Sequence, residues 1–281
     1  MKVYKSINKF IGWRTKNKSS VGFVPTMGAL HDGHLSLINQ SIKQTDVTIV
    51  SIFLNKLQFG PKEDFEKYPK NLQNDLDCLS RLRKDNSKKL IVFIPAETEM
   101  YHDNFSTTVI ESKISKKLEG KSRPDFFCGV TTIVSKLFNL VKPSRAYFGM
   151  KDIQQLVVIK QLVFDLNYNI KIVECNTIRE ANGLAMSSRN KYLTKLDKQN
   201  VAIIYKSLVA GKSWLQQEVP IKNIKENMKK MLQQKNINID YISIANLNTF
   251  TETTDVKLRP IVISVALWYK KIRLIDNVVI K

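Results

Sequence analysis

The first part of the chain alternates between short apolar runs and a segment with helical periodicity. Val21 to Thr26 is an apolar run interrupted by glycine and proline, which predicts a buried strand followed by a turn. From about Gly33 to Thr45, the apolar positions share one face of a predicted helix. The run from Val47 to Leu54 is nearly continuous and β-branched, as in parallel strands that are covered on both faces. These segments predict a βαβ unit.

The same alternation continues to about residue 173. Leucines at helical spacing predict a helix over residues 69–84, and a second helix is predicted over residues 130–141. A third begins after Asp152, a candidate N-cap, and runs to about Leu166. Apolar runs predict strands over residues 90–94, 146–148 and 170–173. Repeated alternation of this kind indicates an α/β protein with a doubly wound, Rossmann-like parallel sheet.

The pattern changes after about Arg179. A polar loop leads to predicted helices over residues 195–216 and 221–234. Strands are then predicted over residues 241–245, 261–269 and 272–275. This order indicates a second, smaller α+β domain. We therefore expect two domains, residues 1–178 with the parallel sheet and residues 179–281 as a smaller C-terminal lid domain.

The composition is that of an ordinary globular protein with a strongly basic charge. The 281 residues are 43% hydrophobic and 25% charged, which suffices for a substantial core. A net charge of +20 attracts polyanions, but the basic residues occur in short, scattered groups rather than in blocks. We therefore expect lysines on solvated faces and no nucleic-acid partner.

Cysteine usage and the lengths of the apolar runs bear on location. The three cysteines are widely spaced and form no CxxC pair, which argues against a disulfide framework or a zinc site. The first ten residues lack the apolar core of a signal peptide, and no apolar run approaches the roughly 18 residues of a membrane span. We expect a cytoplasmic protein with no membrane partner.

The most informative motif lies between the first predicted strand and its helix. The segment PTMGALHDGH, residues 25–34, places His31 and His34 three residues apart at a helix start. In open α/β sheets this carboxyl edge binds ligands, and a helix N-terminus offers free N–H groups to phosphate. The imidazoles add donors for charge that develops on a reacting phosphorus. The alternative is that glycine and histidine serve the turn alone, but two of the chain's three histidines fall here.

No other phosphate motif competes with this turn. Gly211-Lys212-Ser213 resembles the end of a Walker loop, but Lys206 stands where the upstream glycine is required, and no GxGxxG occurs. Phosphate chemistry is therefore expected at the HxGH turn.

The HxGH turn is similar to that of the nucleotidylyltransferase superfamily, and the longer string PTMGALHDGHLSLI resembles the pantothenate synthetase family. Four further stretches agree with that family in the expected order. They are SIFLNKLQFGPKEDFEKYP (51–69), AYFGMKDIQQL (146–156), REANGLAMSSRNKYL (179–193) and RLIDN (273–277). The resemblance implies ATP-dependent ligation of (R)-pantoate and β-alanine to pantothenate through a pantoyl-adenylate, with release of AMP and pyrophosphate. It also implies a homodimer.

The resemblance assigns the site residue by residue. Catalysis is assigned to His34, His31 and Lys151. Gln58 and Gln155 are implied to bind pantoate, with Gln58 also near the β-alanine site, and Asn55 is a further substrate-binding candidate. The implied ATP-binding residues are Met27, Gly28, Ala29, Leu30, His31, Asp32, Gly33, His34, Gly149, Met150, Lys151, Asp152, Ile178, Met186, Ser187, Ser188 and Arg189.

These residue types suit the implied ligands. Lysine, arginine and hydroxyl groups bind phosphate oxygens, and amides pair with hydroxyl and carboxylate groups. Structural alternatives remain open: a turn cap for Asn55, a surface position for Gln58, an N-cap for Asp152 and a polar linker for residues 186–189. We expect the two histidines and the 186–189 loop to act on one triphosphate.

ATP is expected to bring Mg²⁺. Asp75 and Asp77 are possible ligands, but such a pair more often lies on a solvated helix face. No protein metal ligand is assigned, and the ion is expected to be held by phosphate oxygens.

Departures from the family pattern fall outside the proposed catalytic centre. Lys56 stands in place of proline, Asn182 in place of aspartate, and Lys270 and Ile272 in place of glycine and threonine. The stretch 124–128, which includes Phe126, lacks the histidine that the family favours. These positions concern loop closure and C-terminal packing.

Two other functions are compatible with parts of the sequence. One is an HxGH nucleotidylyltransferase that makes a dinucleotide, and the other is a basic nucleic-acid-binding protein. Gln58 and Gln155 suit a small hydroxy acid, and no clustered Lys/Arg–aromatic platform is visible. Both observations favour the ligase.

Overall fold

The computed structural model describes residues 1–61, 63–82 and 89–281, which form two compact units. The first unit comprises residues 1–111, 125–150 and 158–176. The second comprises residues 112–124, 151–157 and 177–281. The division into domains at residue 178 stays a prediction.

A six-stranded parallel sheet forms the centre of the first unit. From β2 the chain builds outward to β3 and β4 on one side and to β5 and β6 on the other, as in a doubly wound sheet. Every residue of β3 is buried, as its continuous apolar run predicts. The predicted Rossmann-like α/β class is confirmed. The strands, in spatial order, are β1 (Lys2–Tyr4), β4 (Lys89–Phe93), β3 (Val47–Ile52), β2 (Val21–Thr26), β5 (Arg145–Gly149) and β6 (Lys171–Cys175).

Helix α2 lies close against the central strand β2. A Cβ atom at Gly22 would lie 2.1 Å from the hydroxyl of Ser41 and 2.7 Å from that of Thr45, so only glycine permits this packing. Val24, Ile38 and Val50 join β2, α2 and β3 in one apolar cluster. The helices between β1 and β6 in the chain are α1 (Ile7–Lys16), α2 (Asp32–Gln44), α3 (Leu72–Arg81), α4 (Glu97–Met100), α5 (Glu119–Ser122), α6 (Phe126–Val141) and α7 (Ile153–Asp165). Residues 83 and 84 of the predicted helix 69–84 lie outside the described residues.

From residue 177 onward, the second unit contains a three-stranded antiparallel sheet and three α-helices. The strands β7 (Ile237–Asn246), β8 (Ile261–Tyr269) and β9 (Ile272–Ile280) pair in chain order. The helices are α8 (Lys195–Val201), α9 (Ile203–Gln216) and α10 (Ile221–Leu232). The predicted small α+β architecture is confirmed, with β7 and β9 longer than predicted.

A single helix over residues 195–216 is a wrong prediction. The N–H of Ala202 bonds to the carbonyl of Asn200 instead of the carbonyl four residues back, so α8 ends there and α9 begins at Ile203. This tightened turn hardly changes the spacing of the apolar residues. The hydrophobic pattern of the sequence therefore does not reveal the break between α8 and α9.

The β8–β9 turn contains one departure from the family pattern. Lys270 has a φ of +54°, a left-handed conformation that glycine adopts without strain and lysine does not. Its ammonium lies 2.7 Å from the carboxylate of Asp197, which also caps α8 with Thr194. The hydrogen bond from Lys270 holds the pKa of Asp197 well below its usual value. The ion pair therefore offsets part of the backbone strain.

No helix in the described ranges is long and apolar enough to cross a membrane.

Candidate active site

The chain makes a tight turn between the end of β2 and the start of α2. The hydroxyl of Thr26 donates to the carbonyl of Ser51 at 2.8 Å and accepts the N–H of Gly28 at 3.2 Å. Gly28 and Ala29 both have positive φ, +85° and +52°. The left-handed conformation costs glycine little but strains alanine, so this turn needs an external support.

The support is the carboxylate of Asp75 on α3. Its two oxygens accept the N–H groups of Ala29 at 2.9 Å and Leu30 at 2.8 Å, and Asp75 is 1% exposed. The interpretation of this position as part of a solvated helix face is therefore wrong. The signal was present in the sequence, because residue 75 lies four positions before Leu79 on the buried face of α3.

Asp75→Asn should weaken the turn without leaving a cavity, because asparagine has nearly the same volume as aspartate. An amide has only one oxygen, so its NH₂ group faces one of the two N–H groups, and a hydrogen bond to a charged acceptor, worth about 1.5–3 kcal/mol, is lost. We expect turnover to fall about tenfold and the melting temperature to fall, measured by ligation assay and thermal melt. Asp77→Asn is the matched control, since Asp77 is exposed and accepts a hydrogen bond from the side chain of Gln73 on the same helix. Equal effects at both positions would contradict this role.

The two histidines of the turn lie side by side. His31 is the N-cap of α2, and its Nδ1 accepts the N–H of Gly33 at 3.1 Å. A neutral imidazole that accepts at Nδ1 carries its proton on Nε2, so His31 presents a donor at that atom. The ring centroids of His31 and His34 are 4.1 Å apart. The predicted pairing of these two residues is therefore present at the start of α2, which is the positive end of its helix dipole.

Asn55 and Gln58 follow β3 at the same carboxyl edge of the sheet. Both are buried, with Gln58 at the end of a 3₁₀ turn over Lys56–Gln58. The NH₂ of Asn55 donates to the carbonyl of Gly129 at 3.0 Å, and its oxygen accepts the hydroxyl of Tyr101 at 2.8 Å. Burial, with the nearby Cys128 and Glu97, raises the pKa of Tyr101 above its ordinary value, so the hydroxyl stays a donor.

The contact with Gly129 is unusually close. A Cβ atom there would lie 2.2 Å from the carbonyl oxygen of Leu57, so glycine lets α6 approach the 3₁₀ turn that carries Gln58. Asn55 therefore has a structural part in holding this turn, and its binding of substrate stays a prediction.

The end of β5 also bears predicted ligands. Gly149 and Met150 are both partly exposed. A Cβ atom at Gly149 would meet nothing within 4 Å, so internal packing does not require glycine there. The close approach of a ligand to the backbone of Gly149 stays a prediction.

In the second unit, residues 151–157 present two adjacent glutamines in different environments. Gln154 is 4% exposed; its NH₂ donates to the carbonyls of Ile114 and Lys117, and its oxygen accepts the N–H of Glu119. Gln155 is partly exposed. The amide of Gln154 is thus committed to holding residues 114–119, which leaves Gln155 as the binding candidate of the pair.

Lys151 and Asp152 precede these glutamines. Their charged groups lie 3.3 Å apart, and the side chain of Lys151 is 20% exposed. The carbonyl of Lys151 accepts a hydrogen bond from the side chain of Asn277 at 2.8 Å. The lysine is therefore anchored through its backbone while its ammonium remains partly accessible.

The remaining predicted ligands lie on a loop that folds back on itself. The N–H of Met186 bonds to the carbonyl of Ile178 at 2.9 Å, and Arg179 pairs with Ala185 in an isolated antiparallel bridge. Gly183, with a φ of +92°, forms the turn. The hydroxyl of Ser187 accepts the N–H of Arg189 and caps the 3₁₀ turn Ser188–Tyr192.

This loop is held at its base by polar side chains. The NH₂ of Asn190 donates to the carbonyl of Ala185 and to the carboxylate of Glu180, both at 3.1 Å. Residues 186–189 are therefore part of a hydrogen-bonded loop, and their interpretation as a plain polar linker is disfavoured.

The predicted site residues fall into two groups. The first unit holds residues 27–34, Asn55, Gln58, Gly149 and Met150, and the second holds Lys151, Asp152, Gln155, Ile178 and residues 186–189. Each group lies within one unit. Sequence reasoning weighed Asp75 as a metal ligand and Gln154 as the less likely partner of Gln155, but missed their structural roles in holding the turn and residues 114–119.

The described residues offer no cage for a resident metal ion. No group of three or more histidine, cysteine, aspartate or glutamate side chains in residues 1–61, 63–82 and 89–281 is arranged to hold one. Both oxygens of Asp75 accept backbone N–H groups. The side chains of the described residues therefore do not fit a protein-bound Mg²⁺ with a full set of side-chain ligands.

A parallel α/β sheet with paired histidines at the first helix after the central strand defines an HxGH-type nucleotide-binding protein. The sequence model of the Pantoate-beta-alanine ligase family matches residues 2–279. The chain therefore belongs to the pantoate–β-alanine ligase family and is an enzyme of that family.

Curated relatives and solved structures agree with this assignment. The chain is 45% identical over 266 residues to the pantothenate synthetase of Thermosipho africanus, covering 94% of each chain. It is 44% identical to that of Thermotoga petrophila, covering 100% of both. The structure of pantothenate synthetase from Thermus thermophilus matches with a TM-score of 0.92 and 35% identity over 99% of each chain. That of pantoate-beta-alanine ligase from Francisella tularensis, complexed with β,γ-ATP and β-alanine, matches with a TM-score of 0.82 and 36% identity, covering 99% of this chain and 97% of that one.

Proposed function

We propose that the protein joins (R)-pantoate to β-alanine in two steps at one ATP-binding site. In the first, a carboxylate oxygen of pantoate attacks the α-phosphorus of ATP, and pyrophosphate leaves. In the second, the amine of β-alanine attacks the carbonyl carbon of the pantoyl-adenylate. AMP then leaves with that carboxylate oxygen, and the amine loses a proton. The observation that carries this proposal is the pair of adjacent imidazoles, 4.1 Å apart, at the N-terminus of α2.

The first step develops negative charge on the phosphates, and donors aimed at that charge accelerate it. His34 and His31 hydrogen-bond the α- and β-phosphates, and His34 donates a proton to the departing pyrophosphate. The N-terminus of α2 places the positive end of the helix dipole at the phosphates. Asp75 holds two N–H groups of this turn away from other partners, so the turn is fixed before ATP binds.

The family resemblance implies further nucleotide contacts. Lys151 neutralises phosphate charge, and Asp152 binds ribose hydroxyls. Ile178 contacts the adenine through its backbone, and Met186 to Arg189 hold the triphosphate with two hydroxyls and a guanidinium.

Amides select the carboxylic acid substrate. Gln58 and Gln155 bind the hydroxyl and carboxylate groups of pantoate, and Gln58 lies near the β-alanine site, with Asn55 as a further contact. Both glutamines offer a donor and an acceptor, which suits a small hydroxy acid. Positioning of this carboxylate in line with the α-phosphorus supplies much of the rate.

Magnesium enters as part of the MgATP substrate. The ion neutralises phosphate charge, and phosphate oxygens hold it, because the described side chains provide no cage. We also propose that the enzyme is a cytoplasmic homodimer, as the family resemblance implies.

The two-step route is tested by following oxygen and pyrophosphate. With pantoate alone, we expect one equivalent of pyrophosphate per site, and with β-alanine added, continuous release of AMP and pantothenate. Pantoate labelled with ¹⁸O in its carboxylate should transfer one label to AMP. Unlabelled AMP would exclude the adenylate. Pyrophosphate release with a mononucleotide in place of pantoate would favour the rival dinucleotide-forming enzyme.

A further inference from the structure

Strand β9 places two consecutive polar side chains inside the second unit. Asp276 and Asn277 are 5% and 6% exposed. Successive side chains of a strand point to opposite faces, so the two residues serve different neighbours. Buried polar groups of this kind are retained only when their hydrogen bonds are made, and here both have specific partners.

Asn277 contacts the segment that carries Lys151. Its Nδ2 donates to the carbonyl of Lys151 at 2.8 Å. This bond fixes the peptide plane that follows Lys151, from which the backbone leads through Asp152 to Gln155. The influence of Asn277 on these proposed ligands therefore passes through that backbone.

Asp276 contacts the base of the 178–189 loop. Its carboxylate accepts two hydrogen bonds from the guanidinium of Arg179, at 2.5 and 3.0 Å. Arg179 also donates to the carbonyl of Gly183 at 3.1 Å and lies 3.8 Å over the ring of Tyr205. A bidentate pair between side chains that are 17% and 4% exposed has little freedom to rotate. The loop is therefore fixed on both sides of its turn.

We propose that Asp276 and Asn277 are positioning residues that set the spacing between Lys151 and the Ser187–Arg189 loop for one triphosphate. This inference rests on the proposed function, because it assumes that both segments bind phosphate. Two groups on adjacent residues of one strand are a rigid reference, since neighbouring Cα atoms are held about 3.8 Å apart by the peptide. A displacement of roughly 1 Å in either segment is enough to reduce the rate about 10²-fold.

The first test is Asn277→Leu, which keeps the volume of the side chain and removes the donor to Lys151. We expect the affinity for a non-reactive α,β-methylene ATP analogue, whose α–β bond cannot be broken in the first step, to fall about tenfold and kcat to fall roughly 10–10²-fold. The KM for β-alanine should stay unchanged. A general loss of folded protein would lower the apparent kcat but would not selectively lower the affinity for the ATP analogue. Asn246→Leu is the matched control, because that side chain also bonds backbone N–H groups, but in the turn after β7.

The second test measures the segment itself. In Asn277→Leu, amide hydrogen exchange over residues 151–157 should accelerate, and exchange in the β7–β8 pairing should not. Asp276→Asn should produce the same pattern over residues 178–187. The double variant Asp276→Asn/Asn277→Leu should lose less analogue affinity, in free energy, than the sum of the two single losses. This follows because the two residues set one spacing together.

The outcomes separate the two proposals. If the wild-type protein makes no pantothenate, the ligation route is refuted. If the Asn277→Leu variant also loses affinity for the analogue, the positioning role is still supported. Unchanged analogue affinity together with unchanged exchange at residues 151–157 overturns the positioning role, whatever the ligation assay shows.

Discussion

His34→Ala should lower turnover by about 10²-fold or more, the effect of removing one donor to a developing phosphate charge. The substitution deletes an imidazole that lies 4.1 Å from that of His31 without touching the Asp75 support of the turn. The KM for ATP should change less than kcat, because the donor acts on charge that develops during the reaction. The measurement is steady-state pyrophosphate release with all three substrates, alongside a thermal melt.

His102→Ala is the matched control for this substitution. His102 is the third histidine of the chain, it is exposed, and it lies outside both groups of predicted site residues. Its loss should leave kcat within about twofold of the wild type, since surface substitutions away from special features have small effects. A His34→Ala enzyme with wild-type turnover would remove the histidine from the mechanism.

Arg273→Met should destabilise the second unit by about 3–5 kcal/mol, because it leaves a buried carboxylate without its cation. The guanidinium donates to both oxygens of Glu119, at 2.6 and 2.9 Å, and to Asp240 at 2.6 Å. The side chains of Arg273 and Glu119 are 11% and 6% exposed. Burial by itself lowers the pKa of Arg273, but the two carboxylates raise it above its ordinary value overall, so the residue stays charged.

The contribution of the Arg273–Glu119 ion pair to stability can be separated from that of side-chain packing by a second substitution. Glu119→Gln in the Arg273→Met background should recover part of the lost stability, since an amide needs no buried counter-charge, and Tyr241 can still donate to its oxygen. Lys271→Met, at an exposed position two residues away, serves as control and should shift the free energy of unfolding by less than about 0.5 kcal/mol. Denaturant melts measure all four proteins. An Arg273→Met variant as stable as the control would show that the pair contributes nothing net.

The sheet and its order of elements were predictable because local patterns decide them. The continuous β-branched run of β3 and the amphipathic segment of α2 each indicate one kind of element, and a βαβ unit has few alternatives. Strand β1 was missed because it has only three residues, two of them exposed, and therefore shows no apolar run. Helix α5 was missed for a similar reason, since a single turn has no periodicity to detect.

The residues in the turn and loop motifs were visible in the sequence, whereas the residues that hold them were not. His31 and His34 are three positions apart, so their proximity follows from helix geometry. Asp75 and Gln154 act on segments 35 to 46 positions away along the chain. Hydrogen-bonding side chains carry no signal of a distant partner, so such roles need coordinates. Asn55 shows the converse case, because its residue type fits both a ligand and a structural bond.

The buried pair of Glu119 and Arg273 joins positions 154 residues apart in the chain. During synthesis, residues 112–124 emerge from the ribosome long before β9, so the Glu119 carboxylate must stay hydrated until β9 is available to pair with it. The second unit therefore completes its core only after β9 has emerged, while the parallel sheet, whose last strand ends at Cys175, can form earlier. Removal of β9 should accordingly abolish the second unit as a whole rather than shorten it.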